Sequence, residues 1–162
     1  MNSEQKSTIT VVSKEAFQAV GLKWEGTFEE AAAGGIRHVQ EEMHRRLKEI
    51  SHIVDSKTLL GLSYDANLGE LGFTHYAVVE VKGAENIPAE MVSVTVPSLS
   101  YATSEHQKDQ NIEYSYQNLY KWIKDQGLKT NNDTHLTHLE KYPLSQDPYT
   151  LDPAFTMMIP IV

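Results

Sequence analysis

The sequence contains no cysteine. Disulfides, thiolate nucleophiles and sulfur-ligated metals are excluded together, and the composition suits a reducing, cytoplasmic setting. Positive charge is scarce as well: 14 Lys and Arg face 22 Asp and Glu, for a formal charge of -8. Neutralising nucleic-acid phosphates requires clustered Lys and Arg, and no helix-turn-helix pattern is present, so direct nucleic-acid binding is not expected. No apolar run approaches the roughly 20 residues that span a bilayer, and no membrane association is expected. Residues 1–7 read as a flexible polar tail and not a signal peptide. No Gly-x-Ser-x-Gly elbow supports serine-based chemistry.

With 162 residues, 40% of them hydrophobic, the chain suffices for one domain over 8–162 with a substantial core. Thr8 to Val12 and Ala16 to Trp24 read as strand, with Gly21 a bulge or bend. Thr27 followed by Glu30 is a capping box, in which hydroxyl and carboxylate satisfy the first free amides of a helix. Ile36, Val39, Met43, Leu47 and Ile50 then form one apolar stripe, and Gly34-Gly35 marks a loose start or a close contact. Thr58 to Tyr64 and Phe73 to Val81 read as strands joined by a hairpin containing Asn67, Gly69 and Gly72.

The second half repeats this order. Met91 to Val96 reads as a strand that Pro97 punctuates before Ser98 to Ala102 continues it. Ile112, Tyr116, Leu119 and Ile123 give a second helical stripe, which Gly127 closes, and His135 to Tyr142 and Phe155 to Val162 supply two more strands. The halves, about 8–82 and 91–162, predict an α+β fold: one antiparallel sheet with two helices on one face and a cleft between them.

Glu140 is the residue that does not belong. It is a lone carboxylate among apolar and aromatic strand residues, and burying one without a partner costs several kcal/mol, roughly. Tyr64, Tyr76, Tyr101, Tyr142 and Trp24, with Met157 or Met158, are candidates for a polarisable wall on which an amphipathic cation would stack. Alternation puts Glu140 and Tyr142 on one face of their strand, as it does Thr156 and Met158 on theirs. Trp122 is assigned to packing. Seven histidines invite a metal reading, but His135 and His138 on a strand would point to opposite faces, and His38, His44 and His52 are spaced poorly for a shared ion. No metal and no cofactor is expected.

Val94-Thr-Val-Pro97, Tyr101, Trp122, Leu139-Glu-Lys-Tyr142 and Ile159-Pro160-Ile161, in this order and spacing, resemble the GyrI-like (gyrase-inhibitory-protein-like) small-molecule-binding family. That family includes effector-binding domains of bacterial multidrug-responsive and AraC-type regulators. Leu60-Gly-Leu-Ser-Tyr-Asp65 and Phe73 to Val81 resemble its second and third strands. The resemblance implies two strand-helix-strand-strand units about a pseudo-twofold axis, and a stand-alone module that senses or sequesters amphipathic, often cationic, compounds. The ligand contacts it implies are Glu140, Tyr64, Tyr76, Tyr101, Tyr142, Trp24 and Met158.

Two other roles follow from the same resemblance. One is a hydrolase opening strained cyclopropane rings in DNA-alkylating natural products, with Glu140 as base and a tyrosine, Tyr101 or Tyr64, as donor. The other is a protein-interaction role on gyrase or a separately encoded transcription regulator. Family members often carry a second acidic residue four positions before the last proline. Here that position is Thr156, which argues against any role needing two carboxylates.

Overall fold

A computed structural model describes residues 8–66 and 70–162. The N-terminal tail and the hairpin residues Asn67 and Gly69 lie outside the described residues. The strands are β1 (Ile9–Lys14), β2 (Phe17–Gly26), β3 (Thr58–Tyr64), β4 (Phe73–Val81), β5 (Val92–Val96), β6 (Leu99–His106), β7 (Leu136–Pro143) and β8 (Phe155–Ile161). The helices are α1 (Phe28–Ala32), α2 (Gly35–Arg46) and α3 (Ile112–Asp125). None of them, among the described residues, is long and apolar enough to cross a membrane.

All eight strands form one sheet in the order β1-β6-β8-β7-β3-β4-β2-β5, every neighbouring pair antiparallel. The order is symmetric about the β7/β3 seam. On one side β2, α1–α2, β3 and β4 make a strand-helix-strand-strand unit; on the other β6, α3, β7 and β8 repeat it. The expected architecture is present.

The edges differ from the sequence expectation. Residues Thr8 to Trp24, read as one strand region, form two strands that sit far apart in the order, although only Glu15 and Ala16 separate them. Likewise β5 and β6, read as a strand continued across Pro97, belong to different halves: β5 pairs with β2, and β6 with β1 and β8. Pro97 cannot donate to a ladder, so pairing stops there and the chain crosses over. Lys14 pairs with Leu99 while Phe17 pairs with Val96, so the two edges converge at this end and the sheet is rolled. Gly21 is not a bulge. It stays in register between Val78 and Val92, and a Cβ there would lie 2.1 Å from the Ala77 carbonyl oxygen.

The roll gives the sheet two different faces. The inner one needs no helix: Phe17, Leu60, Leu62, Tyr101, Leu139 and Met158 bury one another. The outer one is covered by α2 over Val20, Leu59, Ala77 and Val79, and by α3 over Ala102, Met157 and Ile159. Met43 of α2 and Leu119 of α3 are completely buried there, each contributing about 2 kcal/mol of apolar burial.

The start of the first helix follows the sequence reading. Thr27 Oγ1 accepts from the Glu30 amide, and Glu30 Oε1 accepts from the Thr27 amide. The helix then breaks at Gly34, whose φ of 112° is open to glycine, and restarts at Gly35. Gly35 is a close contact: a Cβ would lie 2.7 Å from the Trp24 indole nitrogen.

Candidate functional site

Glu140 lies on β7 at the seam between the halves. Leu139 and Lys141 point to the inner face, so alternation sends Glu140 to the helix-bearing face, level with Gly61 of β3 and Met157 of β8. Tyr142, two residues on, shares that face, and its hydroxyl donates to Glu140 Oε1 at 2.8 Å. Tyr116, from α3, donates a short hydrogen bond to Oε2. Gln40 of α2, itself buried, hydrogen-bonds the Tyr142 hydroxyl. One carboxylate on the sheet is thereby tied to both helices, one from each half.

The surroundings are aromatic. Tyr142 stacks on Phe155 with centroids 4.9 Å apart, Tyr116 lies 4.4 Å from the His138 ring, and His138 Nε2 shares a 2.7 Å hydrogen bond with Tyr120. Trp24 is on the same face but on β2, three strands from β7, edge-on to Phe73 and against Gly26 and Gly35. A cavity of about 150 Å³ opens beside Tyr142, between α2 and the segment 143–153, with Ile36, Arg37, Gln40 and Leu59 in its wall.

Among the described residues no Lys, Arg or His forms an ion pair with Glu140, and Lys141 faces the other way. Desolvation raises the Glu140 pKa, and the hydrogen bonds from Tyr116 and Tyr142 pull it partly back. Burial, reinforced by the charge of Glu140, raises both tyrosines well above the ordinary phenol value, so they remain donors. Burial lowers His138 to about 4, which leaves that ring neutral near pH 7.

The structure divides the candidates named from sequence. Glu140, Tyr142 and Trp24 share the helix-bearing face. Tyr64, Tyr76, Tyr101 and Met158 lie on the inner face and do not join Glu140 in one pocket. Register explains the split: Met158 pairs with Leu139, Tyr76 with Leu62, and Tyr101 with Pro160, all pointing inward. Tyr64 and Tyr76 contact each other edge to face at 5.6 Å, and burial pushes Tyr64 and Tyr101 up to about 12. Met157, not Met158, is the methionine opposite Glu140.

Thr156 also faces away from Glu140 and donates to Glu105 at 2.9 Å. His135 is outside β7, at φ 65°, paired with Asp65 at 2.8 Å, so its expected strand placement does not hold. Among the described residues no group of three metal-ligating side chains is present. Tyr116 and Gln40 were not singled out from sequence as site residues. Their signal was a polar group within an apolar helical stripe or beside one, which packing alone does not require.

The fold is an α+β sheet with a polar, aromatic cluster beneath two covering helices, the architecture expected of an effector-binding domain. The chain belongs to the Cass2 family, described as integron-associated effector binding protein, whose model matches residues 10–161. No curated protein matches. Among solved structures, SAV2435 bound to tetraphenylphosphonium is similar at 16% identity and a TM-score of 0.70, over 96% of this chain and 94% of that one. The EcmrR C-terminal domain is similar at 12% identity and TM-score 0.69, over 98% and 99% of the two chains. Integron cassette protein VCH_CASS2, from the mobile metagenome of Vibrio cholerae, is similar at 13% identity and TM-score 0.60, over 95% of each. Family and fold together support small-molecule binding.

Proposed function

We infer that the chain binds amphipathic organic cations at Glu140, in the space between α2 and α3, and acts as a sensing or sequestering module. The observation that carries this is the carboxylate itself: it is desolvated, held by two phenols and matched by no cation among the described residues. An arriving cation replaces those neutral donors with an opposite charge and offsets the desolvation. Tyr116, Tyr142 and Trp24 offer ring faces worth roughly 0.5 to 2 kcal/mol per good contact. That SAV2435 was solved with a lipophilic phosphonium supports the same ligand class here.

Glu140 reaches α3 through Tyr116 and α2 through Tyr142 and Gln40. Ligand entry that displaces the phenols alters contacts of both helices at once, which suits reporting to a separately encoded regulator.

The test is an equilibrium titration with tetraphenylphosphonium. Wild-type protein should bind it, and Glu140→Gln should bind it about tenfold more weakly or worse. Equal affinity in the two proteins would sink the reading.

A second reading, a hydrolase for strained electrophiles, draws on the desolvated state of Glu140, which strengthens it as a base. Its donor would be Tyr116 or Tyr142. Tyr101, the partner expected from sequence, is across the sheet. Turnover of a cyclopropyl substrate by wild type, lost in Glu140→Gln without loss of binding, distinguishes this role from simple binding.

A further inference from the structure

Of the three arginines on α2, two are paired and one is not. Arg45 pairs with Glu42, and Arg46 with Glu49 and the Ala89 carbonyl. Arg37 is half-buried and forms no ion pair among the described residues, in a chain whose acids outnumber its bases by 22 to 14. Its usual partner would be Glu41, one turn on, since side chains at i and i+4 are neighbours on a helix. Glu41 instead accepts from the Tyr149 hydroxyl.

Arg37 lines the cavity of about 150 Å³ between α2 and the segment 143–153. Ile36, Leu59, Ile112 and Pro148 give the wall its apolar part, and Gln40 and Tyr142 are polar neighbours. The wall opposite α2 is tied in place: Gln146 accepts from the Ala154 amide at 3.0 Å and donates to the Ala154 carbonyl at 3.2 Å. Apart from Tyr142, the other titratable groups of the wall are His44 and Asp147. Burial lowers the His44 pKa against the pull of Asp147, so that ring is neutral near pH 7. Asp147 therefore acts at the His44 end, two turns and about 10 Å along α2 from Arg37.

We propose that this cavity binds a small aromatic carboxylic acid, its carboxylate on the Arg37 guanidinium and its ring among Ile36, Leu59, Ile112 and Pro148. A cavity of about 150 Å³ with an apolar lining holds one benzene-sized group. The planar guanidinium presents two parallel N–H donors that match a carboxylate, and so supplies the orientation. A phosphate dianion has no apolar part for this wall and needs more donors than one arginine offers. Glu140 is not part of the wall, so the inference stands or falls apart from the cation reading. It adds a second ligand class, an organic acid held by α2.

The test titrates phenylacetate and its neutral isostere phenylacetamide against the isotope-labelled full chain, following backbone amide shifts, in wild type, Arg37→Met, Arg37→Gln and Arg45→Met. Wild type should bind the acid about tenfold more tightly than the amide, with the shifts in α2 and 143–153. Arg37→Met keeps the apolar stem and should bind the two probes equally. Arg45→Met removes the same charge from a residue outside the cavity and should leave the ratio at its wild-type value. If Arg37→Met fails to fold, Arg37→Gln decides: a lost ratio supports the inference, and an undiminished one overturns it. Equal binding of acid and amide by wild type, no binding of either, shifts confined to other elements, or a ratio lost equally in Arg45→Met would also overturn it. None of these outcomes bears on tetraphenylphosphonium at Glu140, so the two sites are judged separately.

Discussion

At Glu140 the direction of titration follows from burial. Desolvation holds the carboxyl above its ordinary range, and two phenols counter only part of that. Cation affinity should therefore fall as the pH drops through this raised value and stay flat over the same range in Glu140→Gln. Titrations with tetraphenylphosphonium at successively lower pH read this directly, and a parallel decline in the variant would count against it. His75 runs the other way with respect to stability. Its pKa falls from 6.5 in the unfolded chain to about 4 when folded, so on acidification the unfolded state takes up the proton first. The stabilisation is complete above pH 6.5 and is lost as the pH falls towards 4, by about 3 kcal/mol for this one group. Denaturant midpoints across that window should decline in wild type and decline less in His75→Phe.

Glu140 was legible in the sequence because it is the lone carboxylate of its strand, between Leu139 and the aromatic Tyr142 with which it shares a face. The tyrosines were not sorted, and the reason is geometric. Alternation announces two faces but not which one the helices cover, and here a rolled sheet buries the uncovered face too, so Tyr64, Tyr76 and Tyr101 look as enclosed as Tyr142.

Among the elements, the interruption between α1 and α2 is where sequence rules and packing conflict. Alanine favours a helix over glycine by about 1 kcal/mol, yet a methyl on Gly35 would press on the Trp24 indole at 2.7 Å. Packing should win, because Trp24 is wedged against Phe73 and has little room to retreat. Gly35→Ala is expected to be destabilised by about 1–2 kcal/mol in urea unfolding, and a stabilised variant would contradict the packing described. Here local signals were good guides. The capping box, the limits of β3 and β4, and the end of α3 before Gly127 all follow from side-chain chemistry within a few residues. What local signals missed was the partnering of β1 and β5, because which strand an edge joins is decided by the roll of the whole sheet.

For the molecule as a whole, that exchange of edges predicts that the two halves unfold as one unit. β1 precedes the first half but completes the second, β5 does the reverse, and β3 and β7 pair along the seam. The two tryptophans report on opposite halves, Trp24 from β2 and Trp122 from α3. Fluorescence of Trp24→Phe and Trp122→Phe, each corrected for its own stability by circular dichroism, should give transitions coincident with the loss of secondary structure. Separate midpoints for the two probes would show that the halves unfold independently.

On the proposed reading the function lies at this seam, where one carboxylate accepts from Tyr116 of α3 and reaches α2 through Tyr142 and Gln40. The most direct measurement is a crystal structure with tetraphenylphosphonium. The phosphonium should rest over Glu140 between α2 and α3, with the Tyr116 hydroxyl moved off the carboxylate. A phosphonium found elsewhere, with both phenols still donating to Glu140, would contradict the account.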